Sequence, residues 1–199
     1  MLKPEFPDGI PAALVRAFSS RDDQTSWDRG ACRLRLLTYY RNLESDVRGD
    51  PGEGEARHVV LGVNRTPVNF GGSFHNPVYI LCFSEPDAPA VRSGRYGLFV
   101  STISDVEGFA TRLLEQAESI QFVSREVLSL TLLRIRYSRD TTIDPEPSSD
   151  ERWRLMIAQK AEADAEDCEW RIAITLSGPI ADAPREVWIR RTTVTAPAI

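Results

Sequence analysis

Histidine and cysteine are scarce in this sequence. Its 199 residues include two histidines and three cysteines, and no two cysteines have the CxxC spacing of a zinc or redox motif. With so few nitrogen and sulfur ligands, no conventional metal site is expected. The cysteines are odd in number and widely spread, which disfavours a disulfide framework. We therefore expect reduced thiols and a cytoplasmic protein.

Long apolar runs are missing as well. The longest run, residues 78–83, is far below the roughly 20 residues that cross a bilayer, and the N-terminus has no apolar stretch of signal-peptide length. No membrane partner is expected. The net charge of −5 disfavours broad nucleic-acid binding, which uses a basic surface, but it leaves room for a local basic groove.

The remaining composition is ordinary for one globular domain. Hydrophobic residues make up 42% and charged residues 27% of the chain, enough for one sizeable core, so residues 1–199 are interpreted as a single domain. Strand patterns outnumber helical ones, and no regular βαβ alternation occurs. The predicted class is α+β: a split or two-sheet, mostly antiparallel β core with a few flanking helices.

Apolar periodicity predicts the individual strands. Strands are expected at residues 33–37, 58–63, 78–83, 96–101 and 127–137, the last with a bulge near Leu132 and Leu133. Three similar segments begin with tryptophan and alternate in character. They predict a meander of strands whose tryptophans pack against the core, at Trp153, Trp170 and Trp188.

The clearest helix follows a capping box, Ser104-Asp105-Val106-Glu107, because apolar residues then recur at helical spacing as far as Ala117. Shorter helices are expected at 11–19, after residue 37 and at 161–167. Polar and Gly/Pro-rich composition predicts loops or turns at 21–29, 48–55, 69–73 and 141–149.

The first candidate for chemistry is the acidic pair Asp167 and Glu169, at the start of an apolar strand. Two carboxylates one residue apart on a strand lie on the same side of the pleat, so one can orient or tune the other. Such a pair can hold a ribose hydroxyl, stabilise a developing cation or act as a general base. The structural alternative is that Asp167 caps a turn and Glu169 pairs with an arginine.

The second candidate is an early segment rich in arginine and tyrosine. Arg33 and Arg35 share one strand face, where two guanidinium groups can bind phosphate or pyrophosphate. Tyr39 or Tyr40 can stack on a planar ring. The alternative places both arginines on a solvated face and both tyrosines in the core.

The third candidate is Ser84, which lies at the end of a predicted buried strand. The sequence has no G-x-S-x-G elbow, so an orienting hydroxyl is a better interpretation than a nucleophile. The neighbouring Cys82 is expected to be a small core residue. Lys160 fits either a surface lysine or a phosphate contact.

Taken in order, these motifs resemble a bacterial and phage family that carries a domain of unknown function. The resemblance covers about residues 30–178 and is most specific in a late E-x-E-W-R motif, in which Asp167 replaces the first glutamate. Its segments are Leu37-x-x-Tyr40-Arg41-x-x-Glu44, Asp50-Pro51-Gly52-Glu53-Gly54, Cys82-Phe83-Ser84, Lys160 and Asp167-Cys168-Glu169-Trp170-Arg171.

A more distant resemblance is to the Arg-Ser-Glu type of ADP-ribosyltransferases. It implies an ADP-ribosyltransferase-like split sheet in which Arg33 or Arg35 contacts the phosphates of NAD and Ser84 supports the site. Tyr40, as a ring that can stack, is placed with the arginines among the cofactor-binding residues. Glu169 would bond the nicotinamide ribose and stabilise the oxocarbenium-like transition state, and Asp167 would orient the acceptor. The family's Ser-Thr-Ser triplet is absent, because Glu85 and Pro86 follow Ser84.

These resemblances imply an enzyme that uses NAD as a substrate. It would be a transferase or an NAD glycohydrolase, acting as a toxin or phage-conflict effector on an unknown macromolecular acceptor, with a small nucleotide as its ligand. Two alternatives stay open. One is a non-enzymatic binding or regulatory module; the other is a metal-dependent nuclease using Asp150 or Asp164 with Glu169 and Arg171.

Overall fold

The computed structural model describes a defined part of the chain. The described residues are 2–38, 56–61, 67–72, 75–119, 125–137, 142–143, 153–154, 156–160 and 162–190, with backbone alone at 56–61, 67–72 and 142–143. Within them the fold is α+β, mostly antiparallel and poor in helix. No helix in these ranges is both long and apolar enough to span a membrane.

The strands and helices of the described residues follow one another without a regular alternation. The strands are β1 (Leu14–Phe18), β2 (Ala31–Leu36), β3 (Ala56–Leu61), β4 (Pro67–Gly72), β5 (Val78–Ser84), β6 (Phe99–Ile103), β7 (Val127–Arg134), β8 (Thr142–Ile143), β9 (Glu169–Leu176) and β10 (Glu186–Arg190). The helices are α1 (Arg21–Asp28), α2 (Pro89–Arg92) and α3 (Val106–Ser119), with 3-10 helices at Glu162–Asp167 and Ile180–Asp182.

The strands form two sheets. In the seven-stranded sheet, β10-β2-β5-β1-β6 follow one another, and β9 pairs with both β5 and β7. In the three-stranded sheet, β3 pairs antiparallel with β4 and parallel with β8. The long central strand β5 therefore connects both halves of the larger sheet.

The larger sheet forks at β5. One edge of β5 pairs with β9 along its whole length, so the other edge must serve both β1 and β2. The start of β5 pairs with β2, through Ile80 opposite Arg35. Its end pairs with β1, through Ser84 opposite Val15. Between these two points the carbonyl of Cys82 accepts a hydrogen bond from the Arg16 guanidinium at 3.0 Å, so a side chain satisfies the backbone group that the fork leaves open.

Both faces of the sheet are covered, by two separate clusters of buried residues. The larger cluster includes Tyr79, Leu81 and Phe83 of β5 together with the apolar side of α3. The smaller one includes Val78 and Ile80, on the opposite face. Cys82, which packs against the smaller cluster, and Ser84 continue that second face towards the end of β5, where polar groups lie beside them.

The helix predicted from the capping box is confirmed as α3. Its residues at helical spacing are buried in the larger cluster: Val106, Phe109, Ala110, Leu113, Leu114 and Ala117. The cap itself is Asp105, whose Oδ1 accepts a hydrogen bond from the amide of Gly108 at 2.9 Å. The strands predicted at 33–37, 58–63, 78–83 and 127–137 correspond to β2, β3, β5 and β7, and the predicted turn at 161–167 is the longer 3-10 helix.

Two predictions near the N-terminus are wrong. The helix expected at 11–19 is replaced by strand β1, which pairs residue for residue with β6. The spacing of its apolar residues fitted both the helical period and the two-residue period of a strand. The expected loop at 21–29 is helix α1. Ser20 caps it, since its Oγ accepts from the amide of Asp23 at 3.1 Å. That Ser-x-x-Asp pattern was visible in the sequence.

Two further boundaries differ. The expected turn at 69–73 lies largely within β4, which pairs with β3 from Pro67 to Gly72. The strand expected at 96–101 begins only at Phe99. Gly97 precedes it with a φ of +127°, and a side chain there would collide with the carbonyl of Phe18, so the chain passes directly against β1 before the strand starts.

The apparent change of phase in β7 has a different cause from the predicted bulge. Leu132 packs in the larger cluster and Leu133 in the smaller one, so consecutive leucines are buried on opposite faces without a bulge. The register shift lies between Val127 and Ser129.

The tryptophan meander is partly wrong. Trp170 is the second residue of β9 and is buried, whereas Trp188 in β10 is 55% exposed. Trp153 lies in a helical turn rather than a strand. The predicted helix around Tyr39, Tyr40 and Leu43 and the loops at 48–55 and 141–149 lie wholly or largely outside the described residues.

Candidate functional site

A pocket of about 140 Å³ opens at the fork of the larger sheet. It is bounded by β1 and β2 on one side and by the ends of β5 and β9 on the other. Among the described residues, its charged lining consists of five cationic side chains, Arg16, Arg33, Arg35, Lys160 and Arg171, and two acidic ones, Asp167 and Glu169. The pocket thus has an excess of three positive charges in a chain whose net charge is −5. Such a site favours an anionic ligand.

Of the six residues assigned to catalysis or NAD binding in the leading hypothesis, five line this one pocket: Arg33, Arg35, Ser84, Asp167 and Glu169. The sixth, Tyr40, lies outside the described residues. The topology explains the convergence. Ser84 is opposite Glu169 in the β5–β9 pair, and β2 reaches the same pocket from the other edge of β5.

Glu169 is the most tightly held of these residues, and its side chain is 7% exposed. Its Oε1 accepts from Nε of Arg171 at 2.6 Å, and its Oε2 lies 2.7 Å from Nζ of Lys160. Each carboxylate oxygen therefore has a cationic partner. Glu169 and Arg171 are two residues apart in β9, so the strand places both on one face.

The electrostatics of Glu169 follow from these two partners. Burial alone would raise the pKa of this carboxyl, but Arg171 and Lys160 more than reverse that effect and hold its pKa at about 2. The carboxylate is therefore ionised at neutral pH. It can stabilise a positive charge or accept a hydrogen bond, but it is too weak a base to carry a proton in a neutral-pH reaction.

Lys160 reaches the pocket from the segment that covers the second face of the sheet. Its amide donates to the carbonyl of Arg136 at 3.0 Å, which ties this segment to the chain just beyond β7. Nη1 of Arg171 donates to the carbonyl of Ile157 at 2.6 Å. Burial opposes the charge of Lys160, yet Glu169 more than offsets it and raises the pKa of this ammonium.

Asp167 shares Lys160 with Glu169. Its Oδ2 lies 3.3 Å from Nζ of Lys160 and accepts from the Tyr96 hydroxyl at 2.6 Å, and its Oδ1 accepts from Nη1 of Arg95 at 3.3 Å. Burial, followed by the hydrogen bond to Asp167, raises the pKa of Tyr96. The phenol therefore stays protonated and donates to the carboxylate.

The two carboxylates do share one side, but not for the reason expected. Asp167 ends a 3-10 helix and only Glu169 is in the strand. Between them Cys168 has a φ of +42°, a left-handed conformation that side chains other than glycine rarely adopt. This turn, rather than the pleat of a strand, aims both acids at Lys160.

Cys82 agrees in part with the expectation of a core residue. It is half-buried and packs against the smaller cluster, but it also lines the pocket. Burial, reinforced by the charge of Glu169, raises the pKa of its thiol to about 12. The thiol stays protonated at neutral pH and is a poor nucleophile. Ser84, two residues further along the same face of β5, is the strand partner of Glu169 and lines the same pocket.

Arg33 and Arg35 both face the pocket, as the alternation of β2 predicts, while Leu34 and Leu36 are buried on the other face. Burial, and then the neighbouring Arg35, lower the pKa of Arg33. Nε of Arg35 lies 3.9 Å from Glu186. Two guanidinium groups side by side at the mouth of a cationic pocket are suited to phosphate or pyrophosphate.

Sequence reasoning missed two contributors to the site, Arg16 and Tyr96. Arg16 lies in the segment that was expected to be a helix, and Tyr96 precedes β6 in a loop. Arg171 was named only for the nuclease alternative, and its ion pair with Glu169 was overlooked although Glu-x-Arg in a strand places opposite charges on one face. The described residues contain no group of three or more His, Cys, Asp or Glu side chains that could hold a metal ion.

Comparisons of the chain with protein-family models, with curated proteins and with solved structures found no match.

Proposed function

We propose that this protein is an NAD-consuming enzyme with ADP-ribosyltransferase-like chemistry. It would act as a transferase or a glycohydrolase and serve as a toxin or phage-conflict effector. The observation that carries the proposal is the meeting of Arg33 and Arg35, Ser84, and the acids Asp167 and Glu169 in one pocket at the fork of the sheet. These groups come from distant parts of the sequence.

The reaction breaks the bond between C1′ of the nicotinamide ribose and the ring nitrogen. The bonding electrons stay with the nitrogen and neutralise its positive charge, so the leaving group needs no proton. What the reaction needs is a negative charge beside the developing oxocarbenium ion. An ionised Glu169 with a pKa of about 2 supplies such a charge.

The remaining residues have compatible roles. Arg33 and Arg35 hold the diphosphate, because planar guanidinium groups bind phosphate oxygens in pairs. Ser84, the strand partner of Glu169, supplies a hydroxyl for the substrate at the end of β5. Asp167 faces the acceptor, a water molecule or a hydroxyl or amine of a target. The acceptor attacks C1′ and releases its proton to solvent or to this second carboxylate.

The proposal is tested by calorimetry with NAD and by nicotinamide release from NAD. We expect wild type to bind NAD and release nicotinamide, and Glu169→Gln to bind NAD while losing at least about tenfold in rate, since a transition-state charge interaction is removed. Glu186→Gln, which removes an exposed carboxylate 3.9 Å from Arg35 that does not line the pocket, is the matched control and keeps its rate. Absence of NAD binding, with NAD unchanged after long incubation, would contradict the proposal.

A second function is favoured by one specific observation: both oxygens of Glu169 already have cationic partners. In a non-enzymatic binding or regulatory module, this cluster stabilises the fold and the pocket binds an anionic effector. That function predicts a loss of stability in Glu169→Gln with no turnover to lose. NAD turnover by wild type separates the two functions, because a loss of stability in Glu169→Gln is expected under both.

A further inference from the structure

An exposed tryptophan lies next to the cationic pocket. Trp188 of the edge strand β10 is 55% exposed, and the guanidinium of Arg33 lies over its ring, with Cζ 5.5 Å from the ring centroid. One side of the indole is thus engaged by a pocket residue, while more than half of the side chain stays in solvent. An exposed indole is an efficient stacking surface for a planar ring.

The strand register places Trp188 in line with the pocket. Trp188 is directly opposite Arg33 in the β10–β2 pair, and Cys82 is directly opposite Arg171 in the β5–β9 pair. Extending the β2–β5 register by two residues from Arg35 and Ile80 brings Arg33 to the level of Cys82. β2 pairs with β5 only as far as Ile80, so Arg33 and the indole lie across the open fork from the part of β5 that carries Cys82 and Ser84.

The order of groups across this face matches the order of groups in a dinucleotide. Glu169 lies at the inner end, the paired guanidinium groups of Arg33 and Arg35 lie between, and the indole lies at the outer edge. Resting on the function proposed above, we infer that Trp188 is the adenine-binding platform of the site. The adenine ring stacks on its exposed face while the diphosphate is bound by the two arginines.

The electrostatics of the two arginines support a bound diphosphate between these ends. Burial and the nearby Arg35 both oppose the charge on Arg33. A diphosphate relieves this repulsion, and the Arg33 guanidinium can then contact a phosphate at its edge while its face remains on the indole. Glu186, an exposed residue of β10, lies beside Arg35. Its negative charge disfavours binding of a second anion on the β10 side of the two arginines.

The inference is tested by calorimetry with three probes on the full chain: ADP, nicotinamide mononucleotide and inorganic pyrophosphate. Trp188→Ala is expected to raise the Kd for ADP at least about fivefold, the lower end for a base stacked on an aromatic side chain. Trp188→Phe keeps a stacking ring and is expected to change the Kd for ADP less than about twofold. Neither variant is expected to change the Kd for nicotinamide mononucleotide or pyrophosphate, since these probes lack adenine.

Three results would overturn the inference: no ADP binding by wild type, an equal Kd for ADP in wild type and Trp188→Ala, or an equal loss of pyrophosphate binding. The last would mean that the indole only positions Arg33.

The inference and the proposed function fail separately. Adenine binding that depends on Trp188, with NAD never consumed, removes the function alone. NAD consumption with an unchanged KM in Trp188→Ala removes the adenine site alone.

Discussion

Replacing Glu169 by glutamine tests whether the buried cluster stabilises the protein as its geometry implies. The variant keeps the size and one accepting oxygen of the side chain but removes the charge. Lys160 and Arg171, 14% and 1% exposed, then lose their closest anion. Asp167 compensates only in part, at 3.3 Å from Lys160.

The magnitude follows from the lowered pKa of Glu169. A fall from 4.5 to about 2 corresponds to about 3 kcal/mol, at roughly 1.4 kcal/mol for each tenfold change in proton affinity. Removing one partner of a buried ion pair costs a similar amount, about 3–5 kcal/mol. We therefore expect Glu169→Gln to lower the free energy of unfolding at pH 7 by about 3 kcal/mol, or Tm by roughly 6–12 °C.

The pH dependence has a definite sign. The folded pKa of Glu169 is below its unfolded value, so its stabilisation is fully present above pH 4.5 and is lost as the pH falls towards 2. The difference between wild type and Glu169→Gln should shrink over that window. Glutamine does not titrate, so the variant should lack this part of the acid dependence.

The assay is urea unfolding at pH 7 and at several values down to pH 3. The matched control is Glu186→Gln, whose side chain is 44% exposed and lies 3.9 Å from Arg35; surface pairs of this kind contribute about 0–1 kcal/mol. A loss below about 1 kcal/mol in Glu169→Gln, or a loss that stays constant down to pH 3, would refute the electrostatic account of the cluster.

Two further predictions concern backbone conformation, and urea unfolding checks both. Gly97→Ala is expected to lower the free energy of unfolding by at least about 2 kcal/mol, because the φ of Gly97 is positive and a Cβ would collide with the backbone of β1. The control is Gly9→Ala, which has a positive φ but nothing near its Cβ and should lose only about 1 kcal/mol. Equal losses in the two variants would contradict the steric explanation. Cys168→Gly is expected to raise the free energy of unfolding by up to about 1 kcal/mol, because glycine adopts a φ of +42° without strain. Cys168→Val should lower it. If the glycine variant is less stable than wild type, the contacts of the thiol contribute more than the backbone strain costs.

Several features of the fold were predictable because their cause is local. The alternation of Arg33 and Arg35 with Leu34 and Leu36 assigns the two faces of β2, and the burial pattern agrees. The continuous apolar run of β5 predicts a strand buried on both sides, as observed. Helix α3 has its own cap and its own apolar side, so short-range pattern is sufficient.

Other features could not be predicted because their cause is a partner far away in the chain. The segment of β1 has apolar spacing that fits a helix, and only pairing with β6 makes it a strand. Consecutive buried leucines in β7 resemble a bulge unless both faces of the sheet are known to be covered. A local period cannot show which surfaces other elements will cover.

The same division holds for the candidate site. The sequence by itself identified the two arginines, the serine and the two acids, and it determined that Arg33 and Arg35 share a face, because side chains alternate along a strand. Only the tertiary structure decided that the sheet forks at β5, that Arg16 occupies the fork, and that Lys160 and Arg171 form ion pairs with Glu169. The sequence shows which side chains are ionisable. The ion-pair partners, the burial and hence the pKa of each such side chain depend on which distant strands pair with one another.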